Sequence, residues 1–269
     1  MIKKSALITI QYYSPFSPFT SDRYKKGFEW VKKCGFDGVE LILSNPNLLD
    51  ALNIANEIKN LGLKVSTVTT GQATALEGIS LTTSAEYIRQ AAIKRMMDDI
   101  DFSVAVGKAN VTIGLLRGKG DIANKRTELE LLKIGLDKVV NYADKKGIVI
   151  NLEPINRYEC TLLNSCAETY EFILQMGNPK NLGILYDTFH SNIEDADMFE
   201  TLVQIGKKIS HVHFSDSNRR LPGEGHIDFP RIIKTLKGIG YNGYVSIETL
   251  NIPNEKHIIK NAKKSMDIL

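Results

Sequence analysis

The chain has 269 residues, 43% of them hydrophobic and 24% charged, which is typical of a globular protein with a sizeable core. Its 34 basic and 31 acidic residues are intermixed and give a formal charge of +3, without the dense basic patch that nucleic-acid binders carry. No segment approaches the roughly 20 apolar residues that span a bilayer, and the N-terminus lacks the features of a signal peptide. We therefore expect a cytoplasmic protein with neither a nucleic-acid nor a membrane partner.

Short apolar runs alternate with longer amphipathic segments along the whole chain. The runs predict eight strands, at 6–11, 38–43, 64–70, 109–116, 148–154, 182–187, 209–216 and 243–250. The helical segments between them end at glycines, the usual residue just past a helix, namely Gly35, Gly62, Gly107, Gly147 and Gly240. The last segment supplies an eighth helix. No GxGxxG follows the first strand, so the pattern favours a (β/α)8 TIM barrel formed by a single domain, residues 1–269, over a doubly wound sheet.

Side chains able to bind a metal follow four consecutive predicted strands. Active sites of such barrels lie at the C-terminal ends of the strands. The fifth strand ends in Glu153, the sixth in Asp187 and the eighth in Glu248, and the seventh carries His213. A single acidic residue at a strand end is more often a cap, but four on adjacent strands predict one metal site. Three carboxylates and one imidazole suit Mn²⁺ best, with Mg²⁺, Co²⁺ or Zn²⁺ as alternatives.

The seventh strand carries two of the five histidines of the chain, one residue apart, in "HVHFSD". Residues two apart on a strand face the same side, so His211 and His213 point the same way. Only His213 is close enough to the strand end to reach a metal at the rim. We expect His211 to lie one layer lower, as a hydrogen-bonded core group. Cys34, Cys160 and Cys166 are odd in number and lack CxxC spacing, which favours reduced thiols.

The motifs "NLEPINRYE", "YDTFHSNIE", "HVHFSDSNRRLPGEGHIDF" and "SIETL" resemble those of the xylose-isomerase-like TIM-barrel superfamily, and the likeness extends to "TGQATALEGISLT" and "IGLLRG". Within it they are most similar to the ketose 3-epimerases acting on tagatose and psicose and to the epimerases of 5-keto-L-gluconate. The resemblance implies one divalent metal held by Glu153, Asp187, His213 and Glu248. It also implies a homodimer or homotetramer acting on a small sugar or keto-sugar acid.

The resemblance further assigns substrate contacts to Glu159, His190 and Arg219. The chain departs from the family pattern just after Glu159, in "CTLLNS", and the substrate is therefore left open. Cys160 has no histidine beside it in sequence, and we interpret it as a packing residue. Arg117, just past the fourth strand, could bind a carboxylate of the substrate or be a solvated loop charge.

Epimerisation next to a carbonyl removes a proton from carbon and returns it on the opposite face, which requires two bases. Glu153 and Glu248, on the fifth and eighth strands, are the predicted catalytic pair in a metal-dependent C3 epimerase working through an enediolate. Three alternatives remain: an aldose–ketose isomerase of the hydroxypyruvate type, an inosose dehydratase, and, more distantly, a DNA-repair enzyme of the endonuclease IV kind. A non-enzymatic binding barrel would instead show no metal and no exchange of substrate hydrogen with solvent.

Overall fold

Eight parallel strands close into a barrel in the computed structural model, which describes residues 1–269. Each strand pairs with the next in sequence and the eighth pairs with the first, so the predicted TIM barrel is confirmed. The strands, β1 to β8 in chain order, are Lys3–Thr9, Gly38–Ile42, Lys64–Thr69, Asn110–Ile113, Ile150–Leu152, Leu182–Asp187, Ile209–Phe214 and Tyr244–Ile247. Most are shorter than predicted, and the first begins three residues earlier, at Lys3.

The α-helices pack around the barrel and fill the connections between its strands. In chain order, α1 to α10 are Tyr24–Lys33, Ala51–Asn60, Gly71–Glu77, Glu86–Ala105, Lys125–Lys146, Cys166–Gln175, Thr188–Glu194, Met198–Ile205, Phe229–Gly238 and Glu255–Met266. The short helices α3 and α7, which the sequence pattern did not resolve, directly follow β3 and β6. None of the helices combines the length and the apolar character that crossing a membrane would require.

Helix boundaries follow local chemistry. The side chains of Asp50, Ser165 and Asp228 accept hydrogen bonds from backbone N–H groups in the first turns of α2, α6 and α9, which satisfies donors that have no partner within the helix. The five glycines predicted to end helices all have a positive φ, from 68° at Gly62 to 112° at Gly107. This left-handed conformation suits glycine because it has no Cβ.

The hydrophobic core lies mainly between the strands and the surrounding helices, where one cluster contains 62 buried residues. The inside of the barrel is more polar than the apolar strand pattern predicts. Ser5 and Ser66 are hydrogen-bonded through their hydroxyls at 2.7 Å, and Thr67 and Thr112 at 2.9 Å. Because these buried groups satisfy one another, the interior avoids the penalty of an unpaired polar group.

Candidate metal and active site

The four predicted metal ligands converge at the C-terminal rim of the barrel. Asp187 is the last residue of β6, His213 lies near the end of β7, and Glu153 and Glu248 immediately follow β5 and β8. One ligand atom from each side chain lies within 4.8 Å of the others, and all four residues are buried. Neighbouring parallel strands bring their ends to one edge, which is how residues up to 95 positions apart come to share one site.

These residues fit a divalent cation. His213 Nδ1 is buried without a hydrogen-bond partner and lies 3.3 Å from Glu248 Oε2 and 3.6 Å from Glu153 Oε1. An orphaned nitrogen facing several carboxylate oxygens is costly to bury unless a proton or a metal ion lies between them. Three carboxylates and one imidazole form an oxygen-rich donor set of the kind that Mn²⁺ and Mg²⁺ prefer.

The surroundings of Glu153 and Glu248 shift their pKa values in opposite directions. Burial is the main cause that raises the pKa of Glu153, with the charge of Glu248 adding to it. Burial also acts to raise the pKa of Glu248, but the positive charges of His213 and Arg219 outweigh it and lower that pKa. Burial would likewise lower the pKa of His213, yet the facing carboxylates raise it well above its usual value. In the absence of a metal ion, the raised pKa values of Glu153 and His213 therefore favour their protonated forms.

A carboxylate that the sequence analysis missed lies one layer below the rim. Glu40, in the middle of β2, is fully buried and accepts hydrogen bonds from His213 Nε2 at 3.0 Å and His211 Nε2 at 2.9 Å. His211 also contacts Ser246 Oγ at 3.0 Å, which places it in the hydrogen-bonded lower layer as expected. The sequence did offer a signal for this residue, since Glu40 is the single charged residue inside the apolar run "GVELIL".

Glu40 fixes which nitrogen of His213 faces the rim. Because Glu40 accepts the Nε2–H, the Nδ1 lone pair is directed at the three rim carboxylates, as a metal ligand requires. One ligand atom each of Glu40, His211 and His213 also lies within 4.8 Å of the others, which is close enough for them to share a cation. Their ring nitrogens and carboxylate oxygens lie at ordinary hydrogen-bond distances, however, and we interpret them as a hydrogen-bonded support.

The residues assigned to substrate by resemblance surround the same cluster. Arg219 Nη1 contacts Asp187 Oδ2 at 2.9 Å and Glu248 Oε2 at 3.0 Å, and its guanidinium carbon lies 4.2 Å from the centre of the Phe189 ring. His190, in the first turn of α7, lies 3.0 Å from Arg219 Nη2, and burial lowers the pKa of His190 to about 3. Glu159 lines the cavity next to them.

The loop after β7 holds Arg219 in position. The fully buried Asp216 accepts hydrogen bonds from the backbone N–H groups of Ser217, Gly223 and Ile227 at 2.7, 2.8 and 3.2 Å. A Cβ at Gly225 would lie only 2.2 Å from Asp216 Oδ1, so this position of the Pro-Gly-Glu-Gly turn requires glycine. The polar sequence after the seventh strand thus encodes a tightly bonded loop.

Arg117 does not reach the substrate cavity. Its side chain is fully buried and donates hydrogen bonds to the backbone carbonyls of Glu153 and, at 3.3 Å, Leu163. Both expected alternatives, a carboxylate-binding group and a solvated charge, are therefore wrong. Cys160 packs against Ile155 and Leu162, as a structural residue would.

A cavity of ≈ 260 Å³ opens above the cluster. Its charged and titratable lining residues are Glu153, Glu159, His190, Arg219 and Glu248. Its apolar lining residues are Leu7, Tyr13, Pro15, Phe16, Ile42, Ala75, Leu76, Leu115 and Ile155. Charged groups along the cavity are thus three carboxylates and a single guanidinium.

The TIM barrel thus carries a candidate metal site of three carboxylates and one imidazole at its rim. The sequence profile of the xylose isomerase-like TIM barrel family matches residues 28–269. The chain belongs to this family, and the predicted membership of the epimerase and isomerase class of enzymes is confirmed by the names of its relatives.

Three relatives illustrate the similarity. An L-ribulose 3-epimerase of Mesorhizobium japonicum is 30% identical over 224 residues, which cover 82% of this chain and 73% of the relative. A 3-dehydro-D-guloside 4-epimerase of Escherichia coli is 26% identical over 243 residues, 86% of this chain and 88% of the relative. The crystal structure of D-psicose 3-epimerase with D-tagatose from Clostridium cellulolyticum H10 has a TM-score of 0.85 and 24% identity, covering 99% and 97% of the two chains, and supports the fold.

Proposed function

We propose that the protein is a divalent-metal-dependent epimerase that interconverts C3 epimers of a ketose. The observation that carries this proposal is the pair Glu153 and Glu248, which flank His213 Nδ1 within 3.6 and 3.3 Å while their pKa values are shifted in opposite directions. Two carboxylates whose surroundings separate their proton affinities can act as acid and base in one reaction. The relatives named as 3-epimerases support the same position on the sugar.

The two glutamates divide the proton transfer between them. Glu248, which the positive charges of His213 and Arg219 keep ionised despite its burial, takes the C3 proton from one face of the substrate. Glu153, whose surroundings give it the higher proton affinity of the two, returns a proton to the opposite face, and the roles exchange in the reverse direction. One proton leaves carbon and one is returned, so the net change is inversion alone.

The negative charge that develops on the substrate oxygens needs positive partners. Arg219 contacts Glu248 and lies 3.0 Å from His190, and both residues can donate hydrogen bonds to those oxygens. A divalent ion held by Glu153, Asp187, His213 and Glu248, most simply Mn²⁺, would supply further polarisation of the ketone. Glu159 borders the same space and would contact a substrate hydroxyl.

The charges along the cavity favour a neutral ketose over a keto-sugar acid. A substrate carboxylate would face three carboxylates, while the one guanidinium, Arg219, is already paired with Asp187 and Glu248. Arg117, the other cation near the rim, donates its hydrogen bonds to backbone carbonyls. Apart from the proposed metal ion, an acidic substrate would therefore find no unpaired cation to offset the desolvation of its carboxylate.

Incubation with Mn²⁺ in D₂O and a panel of ketoses and keto-sugar acids tests the proposal. We expect deuterium to enter C3 of a neutral ketose, together with formation of its epimer, and both to stop when the metal is chelated. An aldose product would assign an aldose–ketose isomerase, and a dehydrated diketone an inosose dehydratase. Absence of exchange with every sugar would contradict the proposal.

Homodimeric or homotetrameric assembly stays a prediction, which light scattering coupled to gel filtration would test.

A further inference from the structure

His190 is held by hydrogen-bond donors on both sides of its ring. Nδ1 lies 2.8 Å from Asn156 Nδ2 and 3.3 Å from the backbone nitrogen of Asn156. Nε2 lies 3.0 Å from Arg219 Nη2. Guanidinium and backbone N–H groups can only donate, and a neutral imidazole has one nitrogen that donates and one that accepts. In a neutral ring, the nitrogen that carries the hydrogen must therefore face another donor, while the other nitrogen accepts.

The orientation of the Asn156 side chain decides which nitrogen this is. Asn156 is buried, and its Oδ1 accepts the backbone N–H of Tyr158 at 3.0 Å. The amide nitrogen must then point away from Tyr158, where it donates to Glu159 Oε1 at 2.9 Å and to His190 Nδ1. Two donors thus converge on Nδ1, which can satisfy them only with its lone pair.

The hydrogen of the neutral His190 ring consequently lies on Nε2, directed at the same space as the Arg219 guanidinium. Two donors 3.0 Å apart do not satisfy each other, whereas one acceptor placed between them would satisfy both. Asp187 Oδ2, at 3.6 Å from Nε2, is too distant for a good hydrogen bond. A substrate oxygen carrying negative charge is the acceptor that this arrangement lacks.

We propose that Asn156 is a positioning residue, which fixes the Nε2–H form of His190 so that His190 and Arg219 donate to one oxygen of the substrate. The proposal rests on the proposed epimerase activity, where that oxygen is the one on which charge accumulates as the C3 proton leaves. Glu159 belongs to the same unit, since it accepts from Asn156 and holds the amide in place. The chain of contacts runs from Glu159 through Asn156 and His190 to Arg219.

Two substitutions of Asn156 separate tautomer control from packing. Asn156→Asp preserves the shape but replaces the donor with an acceptor, which draws the ring hydrogen onto Nδ1 and leaves Nε2 unable to donate. Asn156→Ala leaves a small cavity, but the backbone N–H still donates to Nδ1. We expect Asn156→Asp to lower kcat by about 100-fold, as loss of a donor to developing charge does. Asn156→Ala should lower it less, whereas a packing role predicts the reverse order.

Nitrogen chemical shifts of His190 give a readout that is independent of turnover. In the ¹⁵N-labelled protein with diamagnetic Mg²⁺, His190 is assigned by its absence in His190→Asn. The wild type should show a protonated Nε2 and a bare Nδ1, and Asn156→Asp the opposite. Unchanged shifts in Asn156→Asp would overturn the inference.

Controls separate this inference from the proposed function. Arg157→Ala removes an exposed ion pair of the same loop with Glu194, without touching His190, and should leave both kcat and the shifts unchanged. Metal affinity, measured by calorimetry, should not change in Asn156→Asp. If the wild type epimerised no ketose, the proposed function would fail, while the nitrogen shifts would still report the tautomer.

Discussion

Strands β5 to β8 supply all four side chains of the rim cluster, whereas β1 to β4 supply none of them, and β1 and β2 contribute the apolar residues Leu7 and Ile42 to the cavity lining. The first half is not inert, because β2 carries Glu40, which orients His213 from below. In the proposed reaction, the second half of the barrel therefore carries the reacting groups, and the first half shapes and supports the site. Substitutions in the two halves should therefore have effects of different size and kind.

The largest effect is expected in the second half. Glu153→Gln and Glu248→Gln should each reduce deuterium exchange at C3 by more than about 1000-fold, since neither amide can take or return a proton. The effect should persist at metal concentrations that saturate the variants. Glu130→Gln, at an exposed position of α5, is the matched control and should be fully active. Near-normal exchange in both variants would contradict the assignment of Glu153 and Glu248 as the acid and base.

A single substitution in the first half, Glu40→Gln, tests the support role. The amide can turn a donor toward His213 Nε2, which disfavours the required tautomer, and we expect metal affinity to fall about 10- to 100-fold. Calorimetry should give one metal per chain for the wild type, and two would instead assign Glu40, His211 and His213 to a second ion. Asp99→Asn, at a buried carboxyl group outside the rim cluster whose pKa is raised well above its usual value by burial, controls for the exchange of a buried carboxyl for an amide.

Metal binding should depend on pH with a definite sign. Without metal, Glu153 and His213 both have raised pKa values, so both retain protons near neutrality that a metal must displace. Affinity should therefore rise, by about tenfold per pH unit for each proton released, as pH increases from 6 towards 7. Titrations in buffers of different ionisation enthalpy measure the protons released. Binding that weakens with increasing pH would contradict these shifts.

The smallest effect is expected among the apolar residues that line the cavity. Leu76→Ala, on the short helix α3, should raise KM a few-fold and leave kcat unchanged, because it removes about 1 kcal/mol of contact remote from the reacting carbon. Leu52→Ala, similarly exposed on α2 but outside the cavity, provides the comparison. A large fall in kcat for Leu76→Ala would mean that the first half takes part in the chemistry.

The sequence predicts the barrel and the convergence of the four rim residues, since strand ends of a parallel barrel meet by construction. It does not predict Glu40, because the pairing of β2 with histidines 171 and 173 positions away lies across the barrel interior. Asn156 was hidden for a related reason, since its role depends on how a loop folds onto α7. Arg117 was misjudged because its burial is set by the loop at Leu163 and not by its own neighbours in sequence.

The bonding of Asp216 within the loop after β7 has a consequence for the speed of the enzyme. Since three backbone amides hold that loop shut, the guanidinium of Arg219 is aligned once, when the chain folds, and need not be realigned at each turnover. Binding of the sugar then needs to supply little free energy to reorient Arg219.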